Sequence, residues 1–272
     1  MFTHALARRE LAAAGWQPTP GGPWLIGQHH SQFASLSDES WLIEALPRLF
    51  SDVDGFTALT DEDAGSFGEL IGVPAFGMPN PLRPAGLPPR HPEKLAVALA
   101  RYSPEKQLDV MIRAFSQATE APSLNGWKLE LHGEGPTRPQ LEAMIESLGI
   151  ADRVRLAGPT TDIQSVLARA QVNLLTSRYE GFGMSILEAA DAGVPSVVFD
   201  CSAGVRSLVP QGAGLLVPPN DEEAFAASLR TLLLDPELRS AMGRAAQHHS
   251  ASFSPARIAQ RWGHMLARVT GA

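Results

Sequence analysis

The chain has 272 residues, which is enough for one large domain or two modest ones. Hydrophobic residues make up 44% and charged residues 19%, a profile that excludes a disordered or fibrous protein. The formal net charge of -7 argues against nucleic acid as a partner, because a general positive field is absent and any phosphate contact must be local.

Two features of the sequence bear on its location. The single cysteine, Cys201, excludes an internal disulfide and a cysteine-based zinc cluster, and it is consistent with a reducing compartment. No run of about eighteen apolar residues is present, and the charges at positions 8–10 interrupt the first amphipathic segment, so neither a membrane span nor a signal peptide is predicted. We therefore expect a cytoplasmic protein, and peripheral contact with the inner membrane face stays open.

Residues 1–90 predict a partial α/β lobe, called the first lobe below. Thr60, followed three residues later by Asp63, has the pattern of a capped helix start. Six prolines between Pro79 and Pro92 exclude a helix or a central strand, so we place the domain boundary in this connector. The predicted elements are a helix over 3–14, a strand over 24–28, a helix over 39–50 and strands over 55–59 and 73–78.

Residues 91–254 predict a doubly wound α/β domain, called the second domain below. Short apolar runs separated by helices are what a parallel sheet covered on both faces requires. Ligands of such sheets bind beyond the carboxyl ends of the strands. A final helix, in the segment 255–272, is expected to pack back toward the first lobe. The predicted strands cover 95–100, 129–132, 154–156, 172–176, 196–199 and 215–217, and the later helices cover 221–234, 236–248 and 255–269.

Two cations follow the first strand of the second domain. Arg101 comes directly after this strand, and Lys106 stands five residues later, near a helix start at Ser103 and Pro104. Guanidinium and ammonium donors beside a helix N-terminus form a place for a diphosphate. A solvated basic pair in a loop is the alternative that the residues alone leave open.

A glycine pair follows the next strand. Gly133, Glu134 and Gly135 come directly after His132, and the glycines allow the backbone to approach a ligand closely. No third glycine completes the dinucleotide fingerprint and no Walker A sequence is present, so a nicotinamide or flavin enzyme is disfavoured. His132 either contacts a base or ribose or is a satisfied histidine at a strand end.

The strongest signal is the segment that follows the predicted strand 172–176. Glu180 lies in a loop and Glu188, eight residues later, lies in the helix beyond it. A helix that begins near Gly183 would present its first amides to an anion, while Glu188 could accept hydrogen bonds from ribose hydroxyls. The candidate donor-binding residues of this loop and helix start are Gly181, Phe182, Gly183, Met184 and Ser185.

These residues carry a resemblance to a known family. Glu180 and Glu188 form an E-x7-E motif that is similar to that of the family 4 retaining glycosyltransferases, which have the GT-B fold. The resemblance covers nearly all of residues 95–254, and a finer likeness is to the branch that glycosylates wall teichoic acid. Its segments are RYSPEKQLDVMIRAF, LELHGEGP, VRLAGPTTDI, SRYEGFGMSILEAADAGVP, GLLVPPND and FSPARIAQ.

The resemblance implies transfer of a sugar from a UDP- or GDP-linked donor to an acceptor hydroxyl, with retention. Arg101 and Lys106 would neutralise the donor diphosphate in place of a metal, so no metal and no cofactor are expected. Glu180 would lie near the sugar hydroxyls and Glu188 would hold the ribose. The acceptor would be a carbohydrate, a polyol phosphate or a lipid-linked sugar. We expect these residues and the glycine turn to converge on one cleft that faces the first lobe.

The resemblance also implies a histidine on the sugar side. The segment GPWLIGQHHS is similar to the family's strand that ends in a histidine facing the sugar, which corresponds to His29. His30 is the rival, because a gap of one residue would exchange them.

The first lobe departs from the family pattern. The opening strand and glycine-rich loop of the family would precede Thr3, so we expect them to be missing and Met1 to fall inside a helix. The sheet edge left exposed would then need cover from a dimer contact or a partner chain. Two alternatives stay open: a donor-binding module or degenerate enzyme that needs a partner chain for its acceptor site, and a GT-B phosphorylase or nucleotide-sugar epimerase.

Overall fold

The computed structural model describes residues 2–15, 22–38, 40–83, 86 and 88–271, and these residues form two parallel sheets. The first sheet has the strand order β1-β2-β3-β4. Its strands are β1 (Phe2–Thr3), β2 (Ile26–Gln28), β3 (Gly55–Ala58) and β4 (Ala75–Gly77). The helices of this lobe are α1 (Ala5–Ala13), α2 (Ser40–Phe50) and α3 (Asp61–Ile71).

The second sheet has the order β10-β9-β8-β5-β6-β7, and all of its strand pairs are parallel. Its strands are β5 (Leu95–Leu99), β6 (Lys128–His132), β7 (Val154–Leu156), β8 (Val172–Leu175), β9 (Ser196–Phe199) and β10 (Gly214–Val217). The helices that follow are α4 (Leu108–Ala118), α5 (Arg138–Ser147), α6 (Ile163–Arg169), α7 (Met184–Asp191), α8 (Ala203–Leu208), α9 (Glu222–Leu234), α10 (Pro236–Ser250) and α11 (Pro255–Thr270).

The predicted α/β class with a doubly wound parallel sheet is confirmed. Each of the six strands expected after the connector is present, and their bounds differ from the predicted ones by no more than one residue. All residues of β8 and β9 are buried, because helices cover both faces of the sheet. This explains why their sequences are apolar without alternation.

Both faces of the first sheet are also covered. On one face Phe56 of β3 packs against Phe50 of α2 and Phe67 of α3, with ring centroids 5.2 and 5.3 Å away, respectively. On the other face Ile26 packs with Met265 of α11. Because side chains alternate across a strand, these two clusters lie on opposite sides of the sheet. Helix α11 thus packs on the first lobe although it follows the second domain along the chain.

The expectation that the chain begins inside a helix is wrong. Phe2 and Thr3 form a strand that pairs in parallel with Ile26 and Gly27, and α1 begins only at Ala5. Two residues are too few to show the alternation of a strand, so this pairing depends on the tertiary structure and is not visible in the sequence.

The predicted helix start at Ser103 is also corrected. Residues Pro104–Lys106 form a short 3-10 helix that ends at Gln107, whose φ of 46° lies in the left-handed region. Helix α4 begins one residue later, with no side-chain cap from Ser103. Lys106 therefore lies in a separate tight turn, and the left-handed residue interrupts what the sequence predicted as one helix.

The connector is extended, as its prolines predict. Its residues between Pro79 and Pro92 form neither helix nor strand where the structure describes them, and Leu82 N donates to Phe253 O at 2.7 Å. Residues 84, 85 and 87 of the connector, and Glu39 at the predicted start of α2, lie outside the described residues. Among the described helices, none combines the length and the apolar character needed to cross a bilayer.

The predicted helix cap at Thr60 is confirmed, and it yields a stability test. Thr60 Oγ1 accepts from Asp63 N at 3.0 Å and donates to Asp63 Oδ2 at 2.7 Å, in a buried position. We expect Thr60→Ala to lower the free energy of unfolding by about 1–2 kcal/mol, measured by urea denaturation, because two cap bonds are lost. Ser66→Ala on the same helix is the control: its 3.4 Å hydroxyl contact predicts a change below about 0.5 kcal/mol. Equal losses in the two variants would contradict the cap assignment.

Candidate active site

The candidate site lies where β5 and β8 end side by side. These strands pair in parallel, with Ala96 opposite Val172, so the loops that follow them meet at one edge of the sheet. There Lys106 Nζ lies 2.7 Å from Glu180 Oε1, and each side chain is only 15% exposed. The structure thus brings together two of the predicted site residues.

Hydroxyl groups at the end of β8 fix this ion pair, and sequence reasoning missed them. Ser177 Oγ donates to Glu180 Oε1 at 2.8 Å. Thr176 Oγ1 donates to the carbonyl oxygens of Lys106 and Gln107 at 3.0 and 2.9 Å. Both hydroxyls stand directly after a buried strand, which is the signal that could have found them. Their hydrogen bonds hold the loop after β8 against the turn that carries Lys106.

Arg101 is not part of this contact. Its side chain is 79% exposed, and its guanidinium donates to Glu105 Oε1 at 3.2 Å. Ser103 Oγ donates to the same carboxylate oxygen at 2.6 Å. This hydroxyl bond, together with the nearby cations Arg101 and Lys106, holds the pKa of Glu105 below its ordinary value. An exposed pair of this kind contributes little to stability, so Arg101 can exchange Glu105 for another anion at small cost.

The glycine turn after β6 packs against the loop after β5. Gly133 and Gly135 have φ values of 153° and 156°, and a Cβ atom would lie 1.9 Å from Ala100 O and 2.3 Å from Tyr102 O, respectively. The carbonyl of Glu134 accepts from Tyr102 N at 2.8 Å. Close approach of the chain to itself therefore requires both glycines, and their predicted contact with a ligand stays a prediction.

His132 has partners of its own within the second domain. Its Nε2 lies 3.2 Å from Glu130 Oε2, and Arg169 binds the same Glu130 carboxylate. Of the two readings that the sequence left open, the geometry favours a satisfied histidine at the end of a strand.

Helix α7 begins where the sequence predicts. Gly183 is its N-cap with a φ of 94°, and the helix runs from Met184. The amides at a helix start have no acceptors within the helix, so those of Gly183, Met184 and Ser185 are suited to an anion. Phe182, in contrast, is buried in a hydrophobic cluster that also contains Leu59 of the first lobe.

The loop that carries Glu180 also touches the first lobe at the end of β2. A Cβ atom on Gly181 would lie 2.3 Å from His30 O, so glycine is required at this close approach. The side chain of His30 is exposed. Its backbone, and with it the neighbouring His29, is therefore placed directly beside the loop of Glu180.

His29 is the more enclosed of the two histidines. Its backbone N donates to Thr57 O at 2.9 Å, and its ring lies 4.9 Å from that of Phe67. Its buried Nε2 has no hydrogen-bond partner among the described residues. Burial and the charge of His30 lower the pKa of His29, and Asp63 acts in the opposite direction. The ring is therefore neutral near pH 7, and its buried Nε2 is left without a partner in the described part of the chain.

Glu188 lies on α7, four residues after the first residue of this helix, Met184. It is half-buried, and burial raises the pKa of its carboxyl, an effect that Arg83 partly offsets. In the described part of the chain no hydrogen bond or ion pair joins Glu188 to Lys106 or Glu180. Convergence of Glu188 with the ion pair therefore stays a prediction.

A small cavity of about 190 Å³ lies between the two lobes and is lined by residues of both. Arg206 of α8 spans it, with bonds of 2.9 Å to Asp200 and to Glu62 of the first lobe. Cys201 lines the same cavity, where burial and the negative charge of Glu180 raise the pKa of its thiol to about 12. The described residues contain no group of three or more His, Cys, Asp or Glu that could hold a metal ion.

Similarity to solved structures defines the class of the fold. This chain is similar in structure to a mutant of S. aureus TarM that was crystallised with fondaparinux, alpha-GlcNAc-glycerol and UDP. The similarity covers 89% of this chain and 50% of the TarM chain. The TM-score is 0.77 and the sequence identity is 23%. The chain therefore has a GT-B fold: two α/β units, each with a parallel sheet, meet beside the ends of β2, β5 and β8.

Sequence comparison gives the family. Residues 83–249 match the family described as glycosyl transferases group 1, and the chain belongs to this family. It is 34% identical over 224 residues to an exopolysaccharide phosphotransferase of Streptomyces coelicolor, across 80% of this chain and 24% of the relative. It is 30% identical over 141 residues to the amylovoran biosynthesis glycosyltransferase AmsD of Erwinia amylovora, across 52% of this chain and 40% of the relative. The chain thus spans less than half the length of either relative.

The lowered pKa of His29 predicts a pH-dependent contribution to stability. A histidine whose folded pKa lies below its unfolded value of about 6.5 stabilises the fold above that pH, and this contribution is lost as the pH falls through the folded pKa. We expect His29→Gln to lose less stability than the unmodified chain between pH 7.5 and 5.5, measured as urea midpoints. His248→Gln, at an exposed position, is the control and should keep the original pH profile. A steeper acid loss in His29→Gln would contradict the assignment.

Proposed function

We propose that this chain transfers a sugar from a nucleotide-diphosphate sugar to an acceptor hydroxyl, with retention and without a metal ion, as in the family 4 glycosyltransferases. The Lys106–Glu180 ion pair at the adjoining ends of β5 and β8 carries the proposal. In this proposal Lys106 is the cation that binds the diphosphate, and Glu180, in contact with it, is the carboxylate that binds the sugar. Membership in the glycosyl transferases group 1 family supports the same reaction class.

The proposed role of Lys106 is to stabilise the departing nucleotide. Charge builds on the diphosphate as the bond to the sugar breaks, and an ammonium group in a poorly hydrated position offsets it. Arg101 joins Lys106 by leaving its exposed bond with Glu105. Two such cations, with the amides at the start of α7, supply the electrostatic stabilisation that a divalent ion provides in other enzymes.

The proposed role of the carboxylates is to hold the two ends of the donor. Glu180, freed from Lys106, accepts hydrogen bonds from sugar hydroxyls while Ser177 keeps it oriented. Glu188 accepts from the ribose hydroxyls, and its half-buried position strengthens such bonds. His29, neutral and with a buried nitrogen available, donates to or accepts from the sugar on the side of the first lobe.

We propose UDP as the first nucleotide to test, because the similar TarM structure was solved in complex with UDP. The acceptor remains the broad class expected from the sequence: a carbohydrate, a polyol phosphate or a lipid-linked sugar. A cytoplasmic location stays part of the proposal. The alternative of a donor-binding module that needs a partner chain is kept, since the chain spans less than half of either relative. Nothing in the geometry favours a phosphorylase or an epimerase.

The diphosphate role predicts a loss of nucleotide affinity in Lys106→Ala. A charge-assisted contact contributes roughly 1.5–3 kcal/mol, so the Kd for UDP should rise by about 10- to 150-fold, measured by calorimetry. Adding Arg101→Ala should weaken binding further. Lys128→Ala is the matched control and should bind UDP normally. Lys128 is the exposed first residue of β6, so it lies at the opposite edge of the sheet from Lys106.

A double variant separates binding from structure. Lys106→Ala leaves Glu180 half-buried and unpaired, which by itself could disturb the loop. The double variant Lys106→Met with Glu180→Gln removes both charges and keeps the shapes. If Lys106 binds phosphate, the double variant stays as weak as Lys106→Ala. Recovery of UDP affinity in the double variant would show that the ion pair is only structural.

The proposed mechanism predicts that turnover survives chelation. UDP release from UDP-sugars should continue in EDTA, while His29→Ala should lower turnover by about two to four decades and change the Kd for UDP little. His30→Ala is the comparison, because the two histidines are rivals for this role. Loss of turnover in EDTA with rescue by manganese would overturn the metal-free proposal, and an equal loss of UDP affinity in His29→Ala would overturn the role of the histidine. Absence of turnover in the unmodified chain would favour the binding module.

A further inference from the structure

A second cavity lies at the opposite edge of the large sheet from the ion pair. It has a volume of about 290 Å³, near the lower end of small-molecule pockets. Gln171 and Pro195, which directly precede β8 and β9, line it, whereas Glu180 follows β8. The amino and carboxyl ends of parallel strands lie at opposite edges, so this cavity is separate from the candidate active site.

Three arginines line the cavity, and neutral groups accept their hydrogen bonds. Arg90 of the connector donates to the carbonyl oxygens of residues 170, 192 and 193 at 2.7–2.8 Å. Arg239 of α10 donates to Gln171 Oε1 at 3.1 Å and to the carbonyl oxygens of residues 232 and 233. Arg244, one turn further along α10, donates to Ser240 Oγ at 2.7 Å. The backbone thus fixes two of the three guanidinium groups without neutralising them.

The described lining of this cavity carries positive charge and no carboxylate. Among the described lining residues none is acidic, and none of the three arginines forms an ion pair within the described part of the chain. Burial lowers the pKa of Arg90 and of Arg239, and the charge of Asp235 only partly offsets this for Arg239. Three arginines without an ion pair thus line one cavity in a chain whose net charge is -7.

The geometry points to an anion-binding site for a phosphate group, free or carried by a small metabolite. Arg239 Nη2 and the Nε and Nη2 atoms of Arg244 have no acceptor among the described residues, so they can donate to phosphate oxygens. Gln247 and Ser240 add neutral polar groups to the wall. Arg90 Nε also has no acceptor among the described residues, so a bound anion would bridge the interdomain connector to helix α10.

The test is calorimetry and thermal unfolding of the full chain with inorganic phosphate, pyrophosphate and glucose 6-phosphate at constant ionic strength. The unmodified chain should bind at least one of these anions and gain melting temperature. Arg244→Gln should weaken that binding by about tenfold or more, because one charge-assisted contact is lost. Its side chain is exposed and bonds only within α10, so this variant is expected to fold.

A matched control separates this cavity from other cations. Arg257→Gln, on α11 and outside the cavity, should bind like the unmodified chain. Tighter binding of glucose 6-phosphate than of inorganic phosphate would support a phosphorylated metabolite, and equal binding would support free phosphate. No binding at about 10 mM of any probe, an unaltered Kd in Arg244→Gln, or an equal loss of affinity in Arg257→Gln would overturn the assignment.

Discussion

The side-by-side pairing of β5 and β8 is the constraint on which the candidate active site depends. Lys106 and Glu180 are 74 residues apart in the chain, yet their loops leave the same edge of the sheet because the two strands are parallel neighbours. The hydroxyl of Thr176 then binds the carbonyl oxygens of the Lys106 turn and fixes the two loops together. A shift of one strand past the other would separate the charges, so the register of the sheet sets the geometry of the site.

The energetics of this ion pair limit how a donor can bind. Taking both charges partly out of water is costly, and their attraction offsets that cost only with further hydrogen bonds, such as the one from Ser177. In the proposed complex, a diphosphate would have to compete with Glu180 for Lys106. Since sugar hydroxyls would replace the partner that Glu180 loses, a complete sugar nucleotide would be a better competitor than a bare diphosphate. The pair itself thus favours the substrate that it is proposed to bind.

Residues of both lobes form the candidate active site, because the two lobes are in contact beside it. The backbone of His30 lies against Gly181, Leu59 packs into the core around Phe182, and Arg206 of α8 reaches Glu62. Helix α11 adds a second connection by packing on the far face of the first sheet. The proposed sugar-side histidine is therefore positioned from one lobe and the carboxylate from the other. The arginine-lined cavity lies beyond this junction, where the connector meets α10, so an anion there could affect how the connector is held.

The sequence alone determined the elements whose signals are local. The six strands of the large sheet follow from short apolar runs, the cap of α3 from Thr60 and Asp63, and the start of α7 from Gly183, because burial and backbone conformation depend on neighbouring residues. Only the tertiary structure decided the contacts between distant segments. These are the strand pairing at Phe2, the ion pair of Lys106 with Glu180 and the close approach of Gly133 to the carbonyl oxygen of Ala100. Strand order and loop packing set these contacts, and neither leaves a periodic trace in the sequence.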